Sequence, residues 1–176
     1  MNKRNLSLSW LASILLLSVS AGLSWQELQL TPQAGGQSIQ VTGYSVFPII
    51  TALILLQAAA LLASFFIPPK VGRWISGLLI PAMLAHALLV AIDLETSIQE
   101  SIAGSISAIT GVAGSDSQIQ FVASSISTYL WVGYLLAIGL NVVLLAGLAF
   151  LKLSPTQRTS NAVQNVDTDD LWESQK

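Results

Sequence analysis

Residues 74–93 read WISGLLIPAMLAHALLVAID. No charge interrupts the run before Asp93, and about 20 mainly apolar residues is the length that crosses the hydrocarbon of a bilayer as a helix. An interior proline is compatible with that reading, because neighbouring helices can satisfy the backbone group it frees. The stretch predicts a span over about 74–92, kinked at Pro81. Three other stretches match it: 6–25 (LSLSWLASILLLSVSAGLSW), 45–67 (SVFPIITALILLQAAALLASFFI) and 127–151 (STYLWVGYLLAIGLNVVLLAGLAFL). The expected fold is an all-α membrane protein, a four-transmembrane-helix bundle occupying 1–153. A polar tail over 154–176, acidic toward its end, reads as cytoplasmic and disordered.

Composition agrees. Of 176 residues, 53% are hydrophobic and only 9% charged, whereas a soluble domain carries about a quarter charged residues. There is no cysteine and a single histidine, which removes disulfides, thiolate metal sites and thiol redox chemistry. With a net charge of −2 and no basic cluster, nucleic acid is not an expected partner. No cofactor or metal is expected.

Charge placement orients the spans. Lys3 and Arg4 precede the first, Lys70 and Arg73 lie between the second and third, and Lys152, Arg158 and Lys176 follow the fourth. The intervening loops at 26–44 and 93–126 carry only Glu27, Asp93, Glu95, Glu100 and Asp116. By the positive-inside rule both termini are cytoplasmic and both longer loops lie outside. Trp10 and Trp74 near inner ends, with Trp25, Tyr44, Tyr129 and Trp131 near outer ends, read as interfacial belts. MNKR followed by an apolar run and Val19-Ser20-Ala21 also fits a signal peptide. The run is long for that role, so an uncleaved anchor is the expectation.

The outer loops differ. Alternation at Leu28/Leu30 and Ile39/Val41 around PQAGGQ predicts a small hairpin. Ile98, Ile102, Ile106 and Ile109 at helical spacing predict an amphipathic helix lying outside, with a Ser/Gly-rich irregular loop as the alternative.

Polar side chains inside a bilayer are costly, so Gln57, His86 and Asn141 are the candidate site residues. Gln57 and Asn141 fall at similar depth and could bond across helices. Gly133, Ala137 and Asn141, and likewise Ser9, Ser13, Ser20 and Ser24, make small-residue faces for close helix approach. His86 and Asp93 stand two turns apart on one face. They could begin a proton path from outside. The simpler reading gives His86 one interhelical bond and makes Asp93 the outer water boundary. No motif of a hydrolase, zincin or phosphate-binding loop is present, and no catalytic residue is assigned.

The order of features resembles a family. Trp25 follows the first span. VTGYSVFP (Val41, Thr42, Gly43, Pro48) leads into an Ala/Leu-rich second span, then a short basic turn, Arg73 and Gly77 open the third, and DLWES (Asp170–Ser174) lies in the tail. This is similar to the bacterial tryptophan-biosynthesis-associated membrane proteins, four-span proteins commonly encoded in tryptophan operons. The inner turn PPKVGR is less arginine-rich than is usual there, and the chain ends soon after Leu171-Trp172. The resemblance implies a setting in tryptophan metabolism and carries over no catalytic residue. The expected function is a non-enzymatic multi-pass protein accessory to tryptophan biosynthesis or its regulation. Its expected partners are the lipid bilayer, an unidentified protein and a second copy of itself. The alternative is a small oligomeric carrier or channel for tryptophan, indole or a related aromatic, with Gln57, His86 and Asn141 along the path.

Overall fold

The computed structural model describes residues 3–150. The tail over 154–176 and its DLWES segment lie outside the described residues. In chain order the elements are α1 (Lys3–Gly22), β1 (Ser24–Leu30), a 3₁₀ turn (Pro32–Ala34), β2 (Ser38–Thr42), α2 (Gly43–Val46) and α3 (Ile49–Ala63). They continue with α4 (Pro69–Thr110), α5 (Ser115–Ile119), β3 (Val122–Ser127) and α6 (Leu130–Phe150). The chain is mostly helical with one small three-stranded sheet. Among the described residues α1, α4 and α6 are long and apolar enough to cross a membrane, and α3 is apolar but shorter.

Each long helix buries one stripe and exposes another. On α1, Leu6, Trp10, Ser13, Leu17 and Ala21 are buried at helical spacing, while Leu8, Leu11, Leu15, Leu16 and Val19 stand on the surface. On α6 the buried stripe is Tyr134, Ala137, Ile138, Asn141 and Leu145, and the exposed one includes Leu136, Leu140 and Val143. Exposed aliphatic surface of that extent marks a non-aqueous surrounding rather than a water-facing surface. Gly133 and Ser9 sit on the exposed side of their helices, so the small-residue faces are narrower than their spacing suggests. Ser24 has left the helix for β1.

The second apolar stretch is broken in two. Thr42 caps α2: its Oγ1 accepts from the Ser45 amide at 3.4 Å while the Thr42 amide donates to Ser45 Oγ at 3.0 Å. That reciprocal pair is a capping box. Pro48 then disfavours helical backbone at the residue before it. Phe47 accordingly takes φ −129, ψ 85, and α3 starts anew at Ile49.

Helix α4 does not stop at Asp93. It runs for 42 residues, about 63 Å at 1.5 Å per residue, and Pro81 lies inside it without ending it. It ends at Gly111, whose φ of 71 is left-handed and whose amide bonds to the Ser107 carbonyl at 2.9 Å. Glycine takes that conformation without penalty. The expected outer amphipathic helix is therefore the upper part of α4. Ile98, Ile102 and Ile106 are buried and Ile109 is exposed.

The sheet has the order β2-β1-β3, antiparallel throughout. Leu28 pairs with Ile39 on one side and Ser125 on the other. Strand β3, VASSIS, was not expected. It lacks the buried alternation of β1 and is exposed along nearly its whole length, so backbone pairing to β1 holds it. Thr128, just after β3, donates from its amide to the Trp25 carbonyl at 3.2 Å. That bond anchors the start of α6 to the start of β1.

Candidate functional site

Gln57, His86 and Asn141 each find a partner on another helix. The Trp10 indole Nε1 donates to Gln57 Oε1 at 3.2 Å, and Gln57 Nε2 donates to Met83 Sδ at 3.0 Å. One side chain of α3 thus joins α1 and α4. Asn141 Nδ2 donates to Ser13 Oγ at 2.8 Å, and Ser13 Oγ donates to the Trp10 carbonyl at 2.8 Å. Gln57 and Asn141 meet through α1, at Trp10 and Ser13, rather than through each other. His86 Nε2 shares a hydrogen bond of 2.9 Å with the Tyr134 hydroxyl, joining α4 to α6. Gln57 and Asn141 are 0% exposed and His86 4%. His86 Nδ1 and Asn141 Oδ1 are buried with no hydrogen-bond partner among the described residues.

Above these contacts lies a cluster of four rings. Tyr134 packs on Trp25 with centroids 5.5 Å apart, and Phe47 packs on Trp25 at 6.3 Å. His86 meets Phe47 and Tyr134 edge to face at 6.1 and 5.9 Å. Such pairs add about 0.5–1.5 kcal/mol each beyond their buried area. Trp25 is fully buried, and its Nε1 donates to the Ser20 carbonyl at 3.2 Å. It is therefore not an interfacial belt residue, and neither is Trp10, 2% exposed. Trp74 and Tyr129 are exposed, as a belt requires.

The residues singled out around Trp25 form one joint. Val41 is buried, Thr42 caps α2, and Pro48 separates α2 from α3. Gly43 lies flat against the Trp25 indole: a Cβ there would stand 2.5 Å from Cζ2 and 3.0 Å from the Ala21 carbonyl oxygen. No larger residue fits without displacing the ring.

With the joint described, the comparison with known families is decisive. The family model of the tryptophan-associated transmembrane proteins matches residues 7–170. The chain belongs to that family. No curated protein and no solved structure matches the chain. In this member of the tryptophan-associated transmembrane proteins, Trp25, Val41, Thr42, Gly43 and Pro48 are the packing solution that lets a sheet sit on a helix bundle.

Asp93 is exposed on α4, two turns above His86, and Tyr134 takes the His86 bond. Among the described residues no group of three or more His, Asp or Glu could hold a metal ion. Above the membrane-facing part, a groove of about 320 Å³ separates the sheet from upper α4 and α5. Leu28, Ile102, Ile106 and Val122 wall it with Gln99 and Gln118, and among the described residues no charged side chain lines it. The partners of the polar trio were not read from sequence. Tyr134 and Trp10 carried the only signal, as hydrogen-bonding aromatics within apolar runs.

Proposed function

We propose that this chain is a non-enzymatic plasma-membrane protein, accessory to tryptophan biosynthesis or its regulation, that acts on a protein partner. In this reading α2 and α3 together complete a fourth crossing. Helix α3 alone covers about 22 Å at 1.5 Å per residue, and α2 with the Phe47-Pro48 break would supply the rest of the roughly 30 Å hydrocarbon. The sheet, upper α4 and α5 then form an extracytoplasmic cap, and both termini are cytoplasmic, a reading supported by the placement of the basic residues. The membrane domain is 1–153, and a partner would be met by the acidic tail 154–176 on the cytoplasmic side or by the cap on the outer side.

One observation carries this reading over transport. Gln57, His86 and Asn141 each make side-chain bonds between helices, each to a different partner, which is how polar residues hold a membrane bundle together. A carrier needs such groups turned toward a shared path. The test is uptake and efflux of labelled tryptophan and indole by cells with and without the gene. Equal fluxes, with the protein verified in the membrane, are expected. A flux difference that His86→Ala abolishes while the protein still inserts would overturn the reading in favour of carriage.

A further inference from the structure

At the end of the bundle away from the sheet, a groove of about 530 Å³ runs between the first turns of α4 and the last turn of α6. Lys70 and Arg73 form its mouth, and Trp74, Gly77, Leu78 and Phe150 line the rest. We propose that this groove is a binding site for one anionic phospholipid, with its phosphate at Lys70 and Arg73 and an acyl chain along Gly77 and Leu78.

The two cations stand three residues apart and so share one helix face. The acidic residues with described side chains, Glu27, Asp93, Glu95 and Glu100, all belong to the sheet or the upper half of α4. Among the described residues, therefore, neither cation has an acidic partner. Within the described part of the chain their charge is unmatched. Below them Gly77 leaves a notch: a Cβ there would meet nothing within 4 Å. Leu78 and Phe150, 70% and 78% exposed, are continuous with the lipid-facing surface of α4 and α6. A site with a cationic mouth over apolar walls matches a molecule that is anionic at one end and hydrocarbon at the other. Basic pockets between transmembrane helices bind anionic headgroups in this way, and Trp74 stands at the level where indole favours the headgroup region. The acidic stretch of the tail (Asp167, Asp169, Asp170), followed by Leu171-Trp172, is the competing occupant, and the truncation below separates the two. The inference also gives Arg73 and Gly77, which opened the third span in the sequence pattern, a shared purpose. It rests on α4 and α6 lying in a bilayer, not on what the cap does.

The experiment is native mass spectrometry of the full chain in detergent, titrated with phosphatidylglycerol and separately with phosphatidylcholine. The wild type is expected to retain phosphatidylglycerol preferentially. Loss of a cation near an anionic headgroup weakens binding about fivefold, so K70Q/R73Q should weaken it about thirtyfold. G77L keeps both charges but fills the notch in open space, and should displace the lipid by occupying its groove. It also serves if the double variant does not fold. Equal retention of the two lipids overturns the proposal, as does retention unaffected by either variant. Lipid that binds only after removal of residues 154–176 would assign the groove to the tail and also overturn it.

Discussion

Helix α4 is one helix in two surroundings. Below Asp93 it buries Leu79, Met83, His86 and Val90 and exposes Leu78, Leu84, Leu88 and Ile92; above it buries Ile98, Ile102 and Ile106 and exposes Glu95, Gln99 and Glu100. The buried stripes are alike in spacing and chemistry. Only the exposed faces differ. What a helix buries reports its protein neighbours, and what it exposes reports its solvent.

The joint between the two regions offers the largest test. Trp25→Ala removes the ring on which Phe47, Tyr134 and Gly43 all pack, and truncation of a buried tryptophan costs about 3–5 kcal/mol. Thermal unfolding in lipid-like micelles should show loss of both the sheet and the bundle. If the helices melt unchanged while the sheet alone is lost, the two regions are less coupled than the ring cluster implies.

A charge placed on each half of α4 sharpens the comparison directly. Leu84→Lys puts an ammonium on the lipid face and should cost about 2.5–3.5 kcal/mol near the bilayer centre. Glu100→Lys on the upper half should stay within about 0.5 kcal/mol. The check is the fraction of protein recovered in the membrane. Equal recovery of the two variants would break the assignment of two solvents.

The two glycines make a third pair. Gly43→Ala forces a methyl into the Trp25 indole and should destabilise by about 1–3 kcal/mol, as overpacking does. Gly77→Ala enters open space within α4 and should leave the unfolding temperature unchanged or slightly raised. Gln57→Leu deletes the bonds to Trp10 and Met83, and bonds of this kind within a membrane contribute about 0.6–2 kcal/mol. A loss well above that range would show that Gln57 does more than tie three helices.

The lipid-facing half was legible in sequence because a bilayer demands long uncharged runs, and WISGLLIPAMLAHALLVAI (74–92) is one. Gln57, His86 and Asn141 stood out for the same reason, and the structure buries all three. The upper half was less legible. Asp93 and Glu95 mark where lipid-compatible composition ends, but a helix needs only its backbone bonds and ends where Gly111 turns it. Strand β3 left no signal, since it pairs through backbone and exposes its side chains to solvent. Trp10 and Trp25 sit near the ends of an apolar run, where indoles often mark the interface. Their N–H groups found partners inside, and they turned inward.

The central place of β1 in the sheet also sets a timetable. Its partner β2 follows within a few residues, but Gln26 meets Ser125 across 99 residues of chain. At a synthesis rate of 5–20 residues per second, one edge of β1 waits roughly 5–20 s for its neighbour. Helices α2 to α5 must all be made before β3 arrives. The cap therefore closes only after α2 to α5 have been made, and of the described elements α6 alone is still to follow.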